Sequence, residues 1–314
     1  MQFPIAGAQG QLPGTALMVE IVEVGPRDGL QNESVRFSTA QKVALIERAV
    51  AAGARRIEVA SFVRADRVPQ MADAEAVIAA LDLPWDVTTI GLVLNARGAA
   101  RALATQVKEL GAVCVASDAF AQRNQGQTSA ESAAVAAEVI GLALRAGRGA
   151  QATIGAAFGC PFEGEVLPDR VVALAEMLAA AGPREIALAD TIGVAVPAQV
   201  GALVGRVASA TGLPVRVHLH NTRGMGIANA WAAIQAGATT LDASLGGIGG
   251  CPFAPDATGN IATEELVYLL DRSGVAHGHD LERTIAAARW LGDEMGRALP
   301  GLVSRAGGFP MRAS

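Results

Sequence analysis

The sequence predicts a (β/α)8 barrel, and three observations point that way. Eight short runs rich in β-branched residues alternate with eight longer Ala-rich helical stretches between residues 19 and 270. Such alternation is the pattern of parallel strands joined by helices, and eight units close a barrel. The rival doubly wound sheet lacks its mark, because no Gly-x-Gly-x-x-Gly turn follows the first run. Finally, the polar residues fall just after the strands, and the C-terminal ends of barrel strands share one mouth.

In chain order, residues 19–24 form the first strand, and the helix 39–52 stops at Gly53, a residue type that ends helices. Residues 56–60 are the second strand, followed by a helix at 73–81, and residues 88–94 are the third. The next helix spans about 96–110 and closes at Gly111; residues 112–116 are the fourth strand, and Ser129-x-x-Ser132 opens the helix 129–146. The fifth, sixth and seventh units pair strands 152–158, 185–189 and 215–219 with helices 169–181, 198–210 and 227–236. The eighth strand, 240–244, reaches its helix, 263–270, through a long Gly-rich connection, and one further helix covers 281–298. This organisation divides the chain into a loose tail at 1–17, a barrel at 18–275, and a C-terminal helix and tail at 276–314.

Composition narrows the function. Hydrophobic residues make up 51% of the 314, yet no apolar run approaches the roughly 20 residues of a membrane span. Aromatics at 4% and a net charge of −5 without a basic cluster argue against nucleic-acid binding. Cys114, Cys160 and Cys251 are too few and too scattered for a disulfide framework, which suits a reducing cytoplasm. The first 19 residues carry no charged side chain and are broken by Pro4, Gly7, Gly10, Pro13 and Gly14, unlike a secretory or mitochondrial leader.

The chemistry centres on Val217-His218-Leu219-His220, at the end of the seventh strand. Strand residues two apart share a face, so both imidazoles project together. Asp28, after the first strand, adds a carboxylate, and Asn260, beyond the eighth, an amide oxygen. Such a nitrogen and oxygen set without thiolate favours Mg²⁺ or Mn²⁺. Read singly, Asp28 is a turn residue before Gly29, Asn260 a helix cap, and a histidine a core residue; together they read as a metal site. Arg27 beside Asp28 has the donors to stabilise an enolate oxygen. Glu58 lies within the second strand, where a carboxylate needs a partner such as Arg27 or serves as a base. Asp190, after the sixth strand, has the same two readings. Cys251 sits between Gly246-Gly247-Ile248-Gly249-Gly250 and Pro252, the composition of a mobile loop that could carry a proton donor over the site.

Val22-Glu23-Val24-Gly25-Pro26-Arg27-Asp28-Gly29-Leu30-Gln31-Asn32-Glu33 opens a series of longer motifs. It is followed by Ser61-Phe62-Val63 with Val68-Pro69-Gln70-Met71, residues 159–164, Asp190-Thr191-Ile192-Gly193-Val194, and Gly249-Gly250-Cys251-Pro252 with Gly259-Asn260. Over about residues 19–275 the chain resembles the 3-hydroxy-3-methylglutaryl-CoA lyases, a group of metal-dependent TIM-barrel lyases. The resemblance implies a divalent cation on Asp28, His218, His220 and Asn260, and an acyl-CoA substrate. It also implies that Arg27 steadies the enolate, Cys251 acts from its loop, and Glu58 and Asp190 support acid–base steps. A homodimer and a place in leucine degradation belong to the same implication. The expected reaction is retro-Claisen cleavage of a 3-hydroxy-3-methylglutaryl-CoA-like thioester to a β-keto acid and acetyl-CoA.

The chain departs from that group's pattern near the pocket. Asn221-Thr222-Arg223-Gly224 stands where Asp-Thr-Tyr-Gly is usual, Asp118 where Glu is usual, and Leu94-Asn95 where Pro-Asn is usual. These changes leave the ligand set intact and point to a different branched hydroxyacyl-CoA, with Arg223 available to a second carboxylate or a CoA phosphate. The alternatives are a same-fold aldolase or condensing synthase, and a barrel that binds acyl-CoA without turning it over.

Overall fold

A computed structural model describes residues 17–250 and 259–310. Eight parallel strands close into a barrel in chain order, with β1 (Glu20–Glu23) pairing both β2 (Arg56–Ser61) and β8 (Thr240–Ala243). Between them run β3 (Thr88–Val93), β4 (Glu109–Val115), β5 (Gly149–Gly155), β6 (Ile186–Asp190) and β7 (Val215–Leu219). The fold is the (β/α)8 barrel that the alternation predicts. The helices are α1 (Thr39–Ala51), α2 (Ala74–Ala80), α3 (Ala96–Leu103), α4 (Asp118–Gln125), α5 (Ser129–Arg145) and α6 (Pro168–Ala179). They continue as α7 (Pro197–Thr211), α8 (Gly226–Gln235), α9 (Thr263–Ser273), α10 (Leu281–Met295) and α11 (Val303–Ala306). No helix among the described residues is long and apolar enough to cross a membrane.

Local chemistry explains where the helices begin. Ser38 and Gln41 cap α1 reciprocally, side chain to backbone in both directions, which satisfies two otherwise unpaired N–H groups. Thr128 and Glu131 do the same for α5, one residue earlier than the Ser129-x-x-Ser132 reading placed it. Pro168 and Pro197 occupy first helical positions, where a missing N–H costs nothing.

Two expected boundaries move. The helix expected at 96–110 ends at Leu103, and Glu109, Leu110 and Gly111 belong to β4. Gly111 is no helix stop: a Cβ there would lie 2.8 Å from Gln151 Nε2 inside the barrel. The fifth strand starts at Gly149, which pairs with Glu109, so both strands begin three residues earlier than expected. The segment after β4 is also not a loop. It forms α4, with Asp118 in its first turn.

The apolar core lies between the outer strand faces and the helices, in one large cluster that includes Ile57, Leu110, Ile154, Leu188 and Val217. The barrel interior is different. Val22, Val24 and Ile90 form a small cluster there, but Arg56, Glu58, Glu109, Arg216 and Asp242, with Glu185 just before β6, are buried alongside. Arg56 reaches Glu185 Oε1 at 2.7 Å, pairs closely with Glu109, and meets Glu20 at the rim at 3.0 Å. Arg184 closes the rim, 3.2 Å from Glu20. Ionic pairs thus fill space that branched aliphatic residues usually occupy in such barrels.

Removing one partner of a buried ion pair leaves an uncompensated charge, at about 3–5 kcal/mol. Arg56→Met should therefore lower the unfolding free energy by about that amount, read as a fall in the urea midpoint. An unchanged midpoint would show that the floor of the barrel does not need its cation.

Candidate active site

At the end of β1 the chain turns through Gly25–Gly29, a π-helical turn that carries Arg27 and Asp28 over the mouth. The turn packs too tightly for side chains at its ends: a Cβ on Gly29 would lie 2.7 Å from Ile248, and one on Gly25 would lie 2.5 Å from Glu23. Along β7 the two-residue period aims Arg216 and His218 inward, with His220 just beyond the strand. Asn260 arrives beside His220 through an antiparallel bridge, fixed by Asn221 N donating to Gly259 O at 2.9 Å and Ile261 N to Leu219 O at 3.1 Å.

Potential ligand atoms of Asp28, His218 and His220 lie within 4.8 Å of one another. Asp28 Oδ2 is 3.9 Å from Nε2 of each imidazole and accepts the Asn260 amide N–H at 2.9 Å. The amide oxygen of Asn260 is buried and accepts no hydrogen bond among the described residues. A buried acceptor left in that state is costly, and a cation would satisfy it. The donor set therefore fits a divalent ion, with Asp28, His218, His220 and Asn260 as the residues able to hold it.

Electrostatics separate the two imidazoles. Burial lowers the pKa of His218, but the bond to Asp242 and the nearby Asp28 charge outweigh it and carry the value above the ordinary one. His220, buried beside His218, is pushed down to about 4. For Asp28, burial raises the pKa, while Arg27, the two imidazoles and Asn260 hold it well below the usual carboxylate range.

Glu58 has the partner that its place in an apolar strand demands. Its Oε2 accepts from Arg27 Nε at 2.7 Å and from Nη2, while Arg216 Nη2 approaches Oε1 at 3.5 Å. Arg27 also donates to Asp28 Oδ1 at 2.6 Å. Asp190 spends both oxygens on backbone N–H groups, Val194 at 2.9 Å and Ala195 at 3.0 Å, and so pins the loop after β6. Cys251 lies outside the described residues. Among the departures, Asp118 accepts from Ser129 N at 2.8 Å and pairs with Arg170 at 3.0 Å, a structural duty at the start of α4. Arg223 donates to the carbonyls of Ile192 and Gly193 at 3.1 and 3.0 Å, and Asn95 caps α3 through Gly98 N at 2.9 Å.

Besides the charges of the barrel floor, sequence reasoning missed four buried charges around the site. Arg216 and Asp242 stand beneath the imidazoles on β7 and β8. Their signal was a charge within a short apolar strand, the same signal that singled out Glu58. Glu23 accepts from Gly25 N at 2.8 Å, Leu245 N at 3.0 Å and Thr263 Oγ1 at 2.7 Å. Glu264 accepts from Gly246 N at 3.0 Å. These two carboxylates hold the turn Leu245–Gly247, where the Gly-rich connection departs.

Fold and site define a parallel (β/α)8 barrel with a mixed nitrogen and oxygen centre at its C-terminal mouth. The chain belongs to the HMGL-like family, whose model matches residues 18–291. It is 47% identical over 303 residues to the (R)-citramalyl-CoA lyase of Chloroflexus aurantiacus, covering 92% of this chain and 95% of that one. The crystal structure of the HMG-CoA lyase of Bacillus subtilis superposes with a TM-score of 0.89 at 37% identity, over 92% of this chain and 97% of that one. An HMG-CoA lyase from Acinetobacter baumannii, in complex with coenzyme A and 3-methylmalate, gives 0.88 at 37% identity, over 94% and 98%.

Burial pushes the Glu264 carboxyl up to about 7. A raised acid pKa contributes stability that is present in full below the unfolded value and is lost as pH rises through the folded one. Glu264→Gln removes the titration. Its melting temperature should match the parent's near pH 5 and exceed it at pH 8, with a free-energy difference of roughly 3 kcal/mol. A gap that does not change with pH would show that Glu264 titrates normally.

Proposed function

We propose that the chain is a divalent-cation-dependent carbon–carbon lyase of CoA thioesters, with Mg²⁺ or Mn²⁺ as the ion, and that it cleaves citramalyl-CoA to pyruvate and acetyl-CoA. The observation that carries the class is the convergence of Asp28, His218, His220 and Asn260 beside Arg27. The substrate rests on 47% identity to a citramalyl-CoA lyase against 37% to the two HMG-CoA lyase structures. The 3-methylmalate held by the Acinetobacter protein is a methyl-substituted hydroxy diacid, as citramalate is. HMG-CoA remains the comparison substrate, because the motifs around Arg27, Asp190 and Cys251 resemble lyases of that thioester.

A divalent cation at this site supplies Lewis acidity, lowering the cost of negative charge on nearby oxygens. With the His218 Nε2 lone pair, 3.9 Å from Asp28 Oδ2, given to the cation, Asp28 is the group that would take the tertiary hydroxyl's proton, directly or through water. The C2–C3 bond then breaks. Its electron pair passes into the thioester as an enolate, and the carbinol carbon becomes the keto carbon of pyruvate. Arg27 meets the developing charge with two free N–H groups, since three of a guanidinium's five already go to Glu58 and Asp28. Held from both sides, those donors are aimed before the reaction begins. Cys251 protonates the enolate carbon to give acetyl-CoA. Glu58 and Asp190 act as positioning residues, one for Arg27 and one for the loop after β6.

The deciding measurement is kcat/KM for citramalyl-CoA and HMG-CoA with Mg²⁺ or Mn²⁺, products identified by mass spectrometry, with an EDTA control. Citramalyl-CoA should lead by at least about tenfold, the scale of one altered pocket contact, and EDTA should abolish turnover. A preference for HMG-CoA refutes the substrate, and cleavage of neither thioester refutes the class. Arg27→Gln should lower kcat by about 10²–10³ with little change in KM, the signature of a lost oxyanion donor.

A further inference from the structure

Asp242 is wholly inside the barrel on β8, its side chain 4% exposed. The β7–β8 register, Arg216 with Thr240 and Val217 with Leu241, brings His218 beside it. One carboxylate oxygen, Oδ2, lies 3.0 Å from His218 Nδ1, and the other accepts from Arg216 Nε. Arg216, itself only 1% exposed, extends to Glu58 at 3.5 Å and Glu185 at 3.8 Å. Asp242, Arg216, Glu58, Arg27 and Asp28 thus form a strand of alternating charge that leaves His218 on one side and returns to it on the other.

We infer that Asp242 is the positioning residue that sets the tautomer of His218, with Arg216 fixing which oxygen Asp242 offers. The inference rests on the reading of His218 as a ligand. A neutral imidazole has one N–H and one lone pair. Donating Nδ1–H to Asp242 leaves the lone pair on Nε2, the nitrogen that faces Asp28. Among the described residues His220 has no such support, since its Nδ1 is buried without a partner there. The two imidazoles therefore differ in kind: His218 is held in its working form before any ion arrives, and His220 is not. A carboxylate behind a metal-binding histidine has this effect in general. What is particular here is Arg216, a group that can only donate.

That constraint gives the test. In Asp242→Asn the amide oxygen must stay toward Arg216, so the NH₂ group faces His218 Nδ1. Nδ1 must then accept, the proton moves to Nε2, and the lone pair is lost from the site, a tautomer error of the kind known from catalytic triads. Mn²⁺ binding, followed as the loss of the free-ion signal in electron paramagnetic resonance, should weaken about 10–100-fold in this variant. In ¹⁵N-histidine spectra of the metal-free parent, recorded where the imidazole is neutral, His218 should carry its proton on Nδ1. In the variant it should carry it on Nε2, while His277 and His279 stay unchanged. Equal Mn²⁺ affinity in parent and variant overturns the inference and leaves the ligand reading intact. A parent that binds no Mn²⁺ overturns both. Because the parent's spectrum is read by itself, an Nε2–H signal for His218 there overturns the inference even if the variant does not fold.

Discussion

Charge shut away from water has to meet opposite charge, and inside this barrel that requirement runs from floor to mouth. Arg56 answers Glu109 and Glu185 near the floor, Arg216 answers Asp242 and Glu58 above them, and Arg27 answers Glu58 and Asp28 at the top. Apart from Arg27 and Asp28, which share one turn, the partners come from different strands or strand ends, so these contacts require the strands to be in register. Desolvation makes every one of these groups expensive alone. The same arrangement that stabilises the lumen fixes the donors at the candidate centre, because the uppermost ions are also the functional ones.

Much of this was legible in the sequence. The alternation of strand and helix patterns identified the barrel, and the i, i+2 spacing of His218 and His220 placed both imidazoles on one face. Asp28 and Asn260 lie where strand-end logic put them. The rest was hidden for physical reasons. Residues 104–108 continue an Ala-rich helical stretch, and Gly111 mimics a helix stop; what the pattern does not show is that Glu109 is seated beside Arg56, in the strand that begins there. A charge in an apolar strand announces that it has a partner without naming it. Glu58 was therefore visible, but its second neighbour Arg216 was not, and Asp242 behind His218 was not. Asp190 was visible as a carboxylate at the end of the sixth strand, but the backbone N–H groups of Val194 and Ala195 that its oxygens hold were not.

The division of labour between strands and loops accounts for how relatives acting on different thioesters can resemble one chain so closely. The ionic column is carried largely by strands, and the four convergent donors by β7, the His220–Asn260 bridge just beyond it and the tight turn Gly25–Gly29. The departures from the usual motifs lie in loops or short helices instead: Asp118 in α4, Leu94 just after β3, and Arg223 against the Ile192 and Gly193 carbonyls.

The ionic floor has one more effect. With Arg56 clamped between Glu109 and Glu185 and the rim closed by Glu20 and Arg184, the barrel is a cup rather than a tunnel. With that end shut by the described residues, what binds at the mouth enters and leaves by the mouth.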